Sequence, residues 1–345
     1  MENTLLKDQL NAFLTHVDTI SEKKQYWLIR TEGGDLFDTY RAHNFVSIGY
    51  EEISYKKILD YKKSSGNFDD LKDKLKLYIE KVYPDKQPGL VAGQLIRFIY
   101  DVKKGDVVII PSENSNFVSI GIFQETPLME VDNSMLDRTK CNYTKRKSVK
   151  WLKTFSRSNL DPYLYKVLQS HQAINDISKY ASIIERSLGD FYKLEDNTNL
   201  IVNVQKKTSI KANDLLFFGS DLLRLAESFI SDNDLELDIS DVEIKININS
   251  EGRAQFLSKN GKIILILGLI IIGINGGGLK ANFKGFNFDL STDGLIQKVS
   301  DYIDNYHDRK MVDELMKNKD SLEIKNPDDL IKVIKQFSKN KDISK

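Results

Sequence analysis

The chain has 345 residues, 41% hydrophobic and 29% charged, and its 50 basic and 50 acidic side chains cancel. That length points to two domains, and the composition to folded rather than disordered chain. Neutrality excludes a surface that is basic all over but leaves room for a local basic patch. The only cysteine, Cys141, excludes a disulfide framework and a thiolate cluster. The histidines, His16, His43, His171 and His307, are too far apart for a sequence-evident zinc pair.

Residues 1–24 read as an amphipathic helix, with Leu6, Leu10, Phe13, Leu14 and Val17 at helical spacing. No basic segment followed by an apolar run precedes it, so the expectation is a cytoplasmic protein. Tyr26 to Arg30 reads as a strand ending at Gly33-Gly34, and "FVSIGY" as a second. "FDDLKDKLKLYIEKVYP" is an amphipathic helix stopped by Pro84, and "AGQLIRFIYDV" another. "GDVVIIPSENSNFVSIGIF" is a hairpin and "SVKWLKTF" a further strand. From Asp161 to about Lys193 the pattern is helical. The polar "LEDNTN" separates a first domain, 25–193, from a second, 200–340.

In the second domain "LIVNVQ" is a strand and "ANDLLFFGSDLLRLAESFI" an amphipathic helix. Period-two alternation at Leu235 to Ile239 and at Val242 to Ile248 predicts two strands. Asn260-Gly261 reads as a type I′ hairpin turn, and "LKANFKGFNFDL" as one more alternating strand. Two helices follow, one from about Leu295 and one opened by Asn326 and Pro327. The class is α+β: a small curved sheet with helices, then a second α+β domain with an antiparallel meander.

The order "YWLIRTEGG", "VSIGY", "GQLIRF", "KKGD", "FVSIGIF", "RKSVKW", "FSRSNL" resembles the EVE/PUA-like, non-catalytic N-terminal domain of Mrr-type restriction endonucleases, over residues about 25–190. The resemblance implies a module of prokaryotic defence that binds nucleic acid or a nucleotide-like ligand, its relatives taking a flipped, often modified, base into an aromatic pocket. Such a pocket needs a flat wall and a few fixed polar groups. Trp27 is the candidate wall, with core packing as its ordinary alternative. Arg30, Glu32, Gln94 and Arg97 are the candidate edge readers, and Gly33-Gly34 the point of close backbone approach. "KCNYTKRKSVKWLK" offers Lys145, Arg146, Lys147 and Lys150 to a phosphate backbone, or else a solvated strand face.

Mrr-type enzymes cleave with an Asp and a Glu-x-Lys pair around Mg²⁺. Here Asp234 or Asp238 with Glu243 and Lys245 is a weak match, the Asp standing too close before the pair, and no cofactor is otherwise expected. "KIILILGLIIIGINGGGLK", Lys262 to Lys280, is either a strand or helix buried on all sides or a membrane segment at Ile263–Leu279. Its uninterrupted apolar part, Ile263 to Ile274, is short of the ~20 residues a span needs. Ile/Gly bias and flanking turn signals favour a strand. The expected function is recognition of nucleic acid or a modified base in antiviral defence, with a homo-oligomer or partner protein docking on the second domain. The alternatives are a nucleotide-sensing effector that disrupts the inner membrane through 262–280, and a Mg-dependent nuclease.

Overall fold

A computed structural model describes residues 2–124, 129–248, 252–274 and 290–342. The chain forms two compact units, Lys23–Leu188 and the combination of Met1–Glu22 with Gly189–Lys345. The first helix, α1 (Glu2–Leu14), and the short β1 (Thr19–Ile20) thus join the C-terminal unit.

The N-terminal unit runs β2 (Tyr26–Ile29), α2 (Phe37–His43), β3 (Phe45–Ile48), α3 (Tyr55–Lys63), α4 (Phe68–Val82), α5 (Pro88–Ile96), a π-helical turn (Arg97–Asp101), β4 (Val107–Pro111), β5 (Phe117–Phe123), β6 (Met129–Glu130), α6 (Asn133–Thr139), β7 (Lys145–Ser156), β8 (Ile174–Asp176) and α7 (Ala181–Leu188). Its sheet, ordered β3-β7-β5-β4-β2-β8, curls into a half-barrel. The curl comes from β7, which is twelve residues long. Its first half pairs with β3 and β6 and its second half with β5, across a bulge at Ile120/Gly121. Alternation on β2 divides the interior. Trp27 and Ile29 enter one cluster with the α4 and α5 side chains, while Tyr26 and Leu28 enter another with Val118 and Leu164.

The segment from Asp161 to Lys193 departs from the helix expected there. It is a 3-10 turn at Pro162–Gln169, then β8, and a true helix only at α7. The outer side of β2 would otherwise carry unpaired N–H and C=O groups, and Ile174–Asp176 pairs with it.

The C-terminal unit continues with β9 (Phe191–Leu194), β10 (Asn197–Val204), α8 (Ala212–Asp232), β11 (Glu243–Ile248), β12 (Gly252–Ser258), α9 (Gly261–Gly273), α10 (Leu290–Asn305), α11 (Arg309–Ser321) and α12 (Asp328–Asp342). Its sheet is β1-β9-β10-β12-β11, antiparallel except for β1 on β9. "LEDNTN" is the turn of the β9–β10 hairpin, inside this unit. Leu235 to Asp238 form no strand, and Asp238 caps a 3-10 turn that leads into β11. The strand expected at "LKANFKGFNFDL" falls almost entirely outside the described residues.

The apolar stretch is a helix, not a strand. Asn260 does not make a hairpin turn but caps α9, its side chain accepting from the Lys262 N–H. Gly261 is needed because a Cβ there would meet Thr198 Oγ1 at 2.6 Å. Ile263 to Ile272 are all buried, packed against α1, α8, α10, β10 and β12. A helix apolar on every side belongs in a core, and thirteen residues rise only ~20 Å, less than a bilayer core. Among the described residues no helix is long and apolar enough to cross a membrane. We expect Leu267→Ala to cost about 2–5 kcal/mol in urea unfolding. Leu5→Ala, on the exposed side of α1, should stay within about 0.5 kcal/mol.

Candidate functional site

The run Lys145-Arg146-Lys147 is where structure and sequence differ most. All three side chains are buried, so they are not a phosphate-facing patch. Lys150, further along β7, is exposed. On β7 the first and third side chains share one face and the second takes the other. Each cation is seated on main-chain carbonyls. Lys145 Nζ lies 3.0 Å from Glu51 Oε1 and donates to the Tyr50 carbonyl. Arg146 donates to the carbonyls of Tyr143 and Cys141, both at 2.8 Å, with its guanidinium 4.2 Å from the Phe45 ring centre. Lys147 donates to Val102 and Ile99 at the end of the π-helical turn.

These contacts fix the backbone under Tyr50 and Tyr143. Glu51 completes the clamp by accepting from the Thr144 N–H and hydroxyl. Tyr50 follows β3 at φ +65°, and Glu32 follows β2 at φ +51°. Left-handed backbone is costly for side chains other than glycine, and such outliers concentrate at ligand clamps. The Glu32 charge acts on both Tyr50 and Tyr143. Tyr143 also lies against Gly49, where a Cβ would stand 3.1 Å from its ring. Tyr83 packs edge-on to Tyr50, with ring centres 5.8 Å apart. Its hydroxyl accepts the Glu52 N–H. Partial burial first, then the nearby carboxylates and ring hydroxyls, hold Tyr50 and Tyr143 above the ordinary tyrosine range, so both remain neutral donors. Glu32 is exposed, and no salt bridge to it exists among the described residues.

The other candidate residues divide between this site and the scaffold. Trp27 is a core side chain whose indole N–H donates to buried Asp106, and it forms no wall. Asp106 also accepts from the backbone of Gln25 and Lys103, so the indole and two loop ends share one carboxylate. Gln94 is buried at the edge of the site. Its Oε1 accepts from the Ala173 N–H at 3.1 Å and the Tyr50 hydroxyl at 3.4 Å. Arg30 donates to the Leu168 carbonyl and Arg97 to Gln172 Oε1, so both brace the chain that leads to β8. Gly33 at φ +72° shapes the turn that presents Glu32. Gly34 instead admits another part of the chain, since a Cβ there would stand 2.3 Å from the Glu113 backbone nitrogen. Tyr143 stands out in the sequence as an aromatic among the cations of "KCNYTKRKSVKWLK", but spacing gave no signal for Tyr50 or Tyr83, and the three come from separate loops.

Residues 23–188 carry 27 basic and 21 acidic side chains, a formal +6, and the remainder of the neutral chain carries −6. In the C-terminal unit Glu243 and Lys245 are both exposed, and Asp234 ends the turn after α8 at φ +46°. Among the described residues no three His, Cys, Asp or Glu side chains are grouped to hold a metal.

A family model described as a domain of unknown function, DUF8426, matches residues 26–178, a span that falls within the N-terminal unit. No curated protein and no solved structure matches the chain.

Lys147 gives a test of the buried cations. Burial first, then the like charge of Lys103, pushes its ammonium down to about 8 from 10.5, against the opposing pull of Asp106 and Asp101. Between those two values the unfolded chain holds a proton that the folded chain has released. Stability therefore rises as pH climbs from about 8 to about 10.5 and is lower below that window. Replacing the lysine by Lys147→Met should flatten this rise in urea midpoints taken across the window. An unchanged rise would show that other groups produce it.

Proposed function

We propose that the N-terminal unit recognises a base of nucleic acid, or a nucleotide-like ligand, at the Glu32–Tyr50–Tyr143 site. The observation that carries this reading is the grouping of Tyr143 against Gly49 and of Tyr83 against Tyr50, near the exposed Glu32 carboxylate whose charge acts on Tyr50 and Tyr143, with Glu32 and Tyr50 both left-handed. Tyrosine rings offer π-faces for stacking at about 1–3 kcal/mol per base. An exposed carboxylate accepts from the amino and imino groups on a base edge. Neutral tyrosine hydroxyls add donors, and the amide of Gln94 lies beside them. The formal charge of +6 on residues 23–188 favours an anionic partner. The sequence resemblance to the EVE/PUA-like domain of Mrr-type endonucleases leads in the same direction and suggests a setting of cytoplasmic antiviral defence. A membrane-disrupting role finds no support in α9, which would have to abandon the core it fills.

The test is binding of the full chain to duplex, single-stranded and base-modified DNA, to RNA and to cyclic nucleotides. Tyr50→Ala and Tyr143→Ala should each weaken binding on the order of tenfold. Tyr143→Phe should retain most of the affinity, and Glu32→Gln should change which base is preferred. Equal binding by wild type and both alanine variants would remove this site from recognition. No binding to any member of the panel would remove the reading.

A further inference from the structure

In the sheet of the C-terminal unit β11 is the outer strand. β12 pairs with one side of it, and among the described residues no strand pairs with the other. An open edge is a template for another strand. Ile244 and Ile246 are 47% and 50% exposed, and they share a face with Phe256 and Ala254 of β12. That face continues into an apolar cavity of about 200 Å³ beside α8, lined also by Val204, Leu216 and Leu223. Glu243 and Lys245 take the opposite face.

We propose that a second copy of the chain pairs with this edge, β11 antiparallel to β11, about a two-fold axis through Ile244. The register follows from charge and face. For the apolar face to continue from one copy into the other, residues that oppose each other must lie on the same face. Every residue of β11 meets that condition as a centre, but centring on Ile246 sets Lys245 opposite Asn247 and brings no opposite charges together. Centring on Glu243 sets this carboxylate opposite itself, and centring on Lys245 sets two ammonium groups opposite each other. Like charges directly across strands destabilise the pair. Centring on Ile244 sets Glu243 opposite Lys245 of the other copy, twice. It also sets Ile244 opposite its counterpart and Val242 opposite Ile246. The isoleucines of both copies then lie between the two α8 helices, where Leu216 is also exposed. Edge and apolar strip are closed by one contact, as a stable interface with an apolar centre requires.

The experiment is the mass of the full-length chain by sedimentation velocity over a series of concentrations. The wild type is expected at twice 39.6 kDa. Lys245→Glu sets carboxylates opposite each other at both ends of the seam and should weaken dimerisation on the order of tenfold or more. The double swap Glu243→Lys with Lys245→Glu recreates both opposite pairs and should restore it. Both side chains are exposed, so circular dichroism should be unchanged throughout. A wild type that stays monomeric overturns the proposal. So does a Lys245→Glu variant that dimerises like the wild type, or a double swap that fails to recover.

Discussion

A charged side chain removed from water must be given partners, and in the N-terminal unit this requirement fixes the geometry on which the rest depends. Lys145, Arg146 and Lys147 follow one another on β7, and each is buried against carbonyls from a different part of the chain. An unpaired buried cation costs several kcal/mol, so these carbonyls are held in place as firmly as the cations. Tyr50, Tyr143 and the end of the π-helical turn are thereby tied to one strand. Left-handed backbone at Tyr50 survives because its carbonyl and the neighbouring Glu51 are both clamped by Lys145. The basic run thus holds the backbone of the proposed recognition site rather than forming a part of its open face.

The C-terminal unit solves the opposite problem. Its central helix carries no polar side chain from Ile263 to Gly273, so no face of α9 can meet water without loss. The unit surrounds it, with sheet strands on one side and helices on the others. Gly268 sits where a Cβ would stand 2.4 Å from Leu330 Cδ2, so α12 also comes close to this helix. The same sheet face that covers α9 extends past α8 to β11, where Ile244 and Ile246 are about half exposed.

How much of this was legible in the sequence follows from how local each cause is. The α1, α4 and α8 helices have a clear apolar stripe, and the β4–β5 hairpin has a polar turn between two apolar runs, so periodicity is enough. α9 has no stripe, and an apolar run without period does not distinguish strand from helix. Asn260 then misleads, because the residue that suits a tight turn also suits a helix cap. α11 is densely charged, with Met311, Val312 and Leu315 as its buried apolar side chains, too faint a stripe to stand out. β8 exists because β2 needs a partner, which its own sequence does not state. At the site, Glu32 and Gln94 were legible beside glycines and within a resemblance. Tyr143 was legible only as an aromatic within the basic run, and Tyr50 and Tyr83 were not, since their placement depends on carbonyls and cations up to about a hundred residues apart in sequence, such as Tyr50 and Lys145.

A recognition site built from a few rings and one carboxylate has modest intrinsic strength, because each stacked base contributes only about 1–3 kcal/mol. A formal charge of +6 adds attraction to a phosphate backbone, but that attraction falls with salt. On the proposed β11 pairing, each assembly carries two N-terminal units and so two of the proposed recognition sites. The second engagement with one long nucleic acid is then intramolecular, and its strength depends on effective concentration rather than on new contacts. Short ligands gain nothing from this, whereas long ones gain wherever both units reach. Discrimination by ligand length would therefore arise in the C-terminal unit, while discrimination by base would arise at Glu32 and its tyrosines.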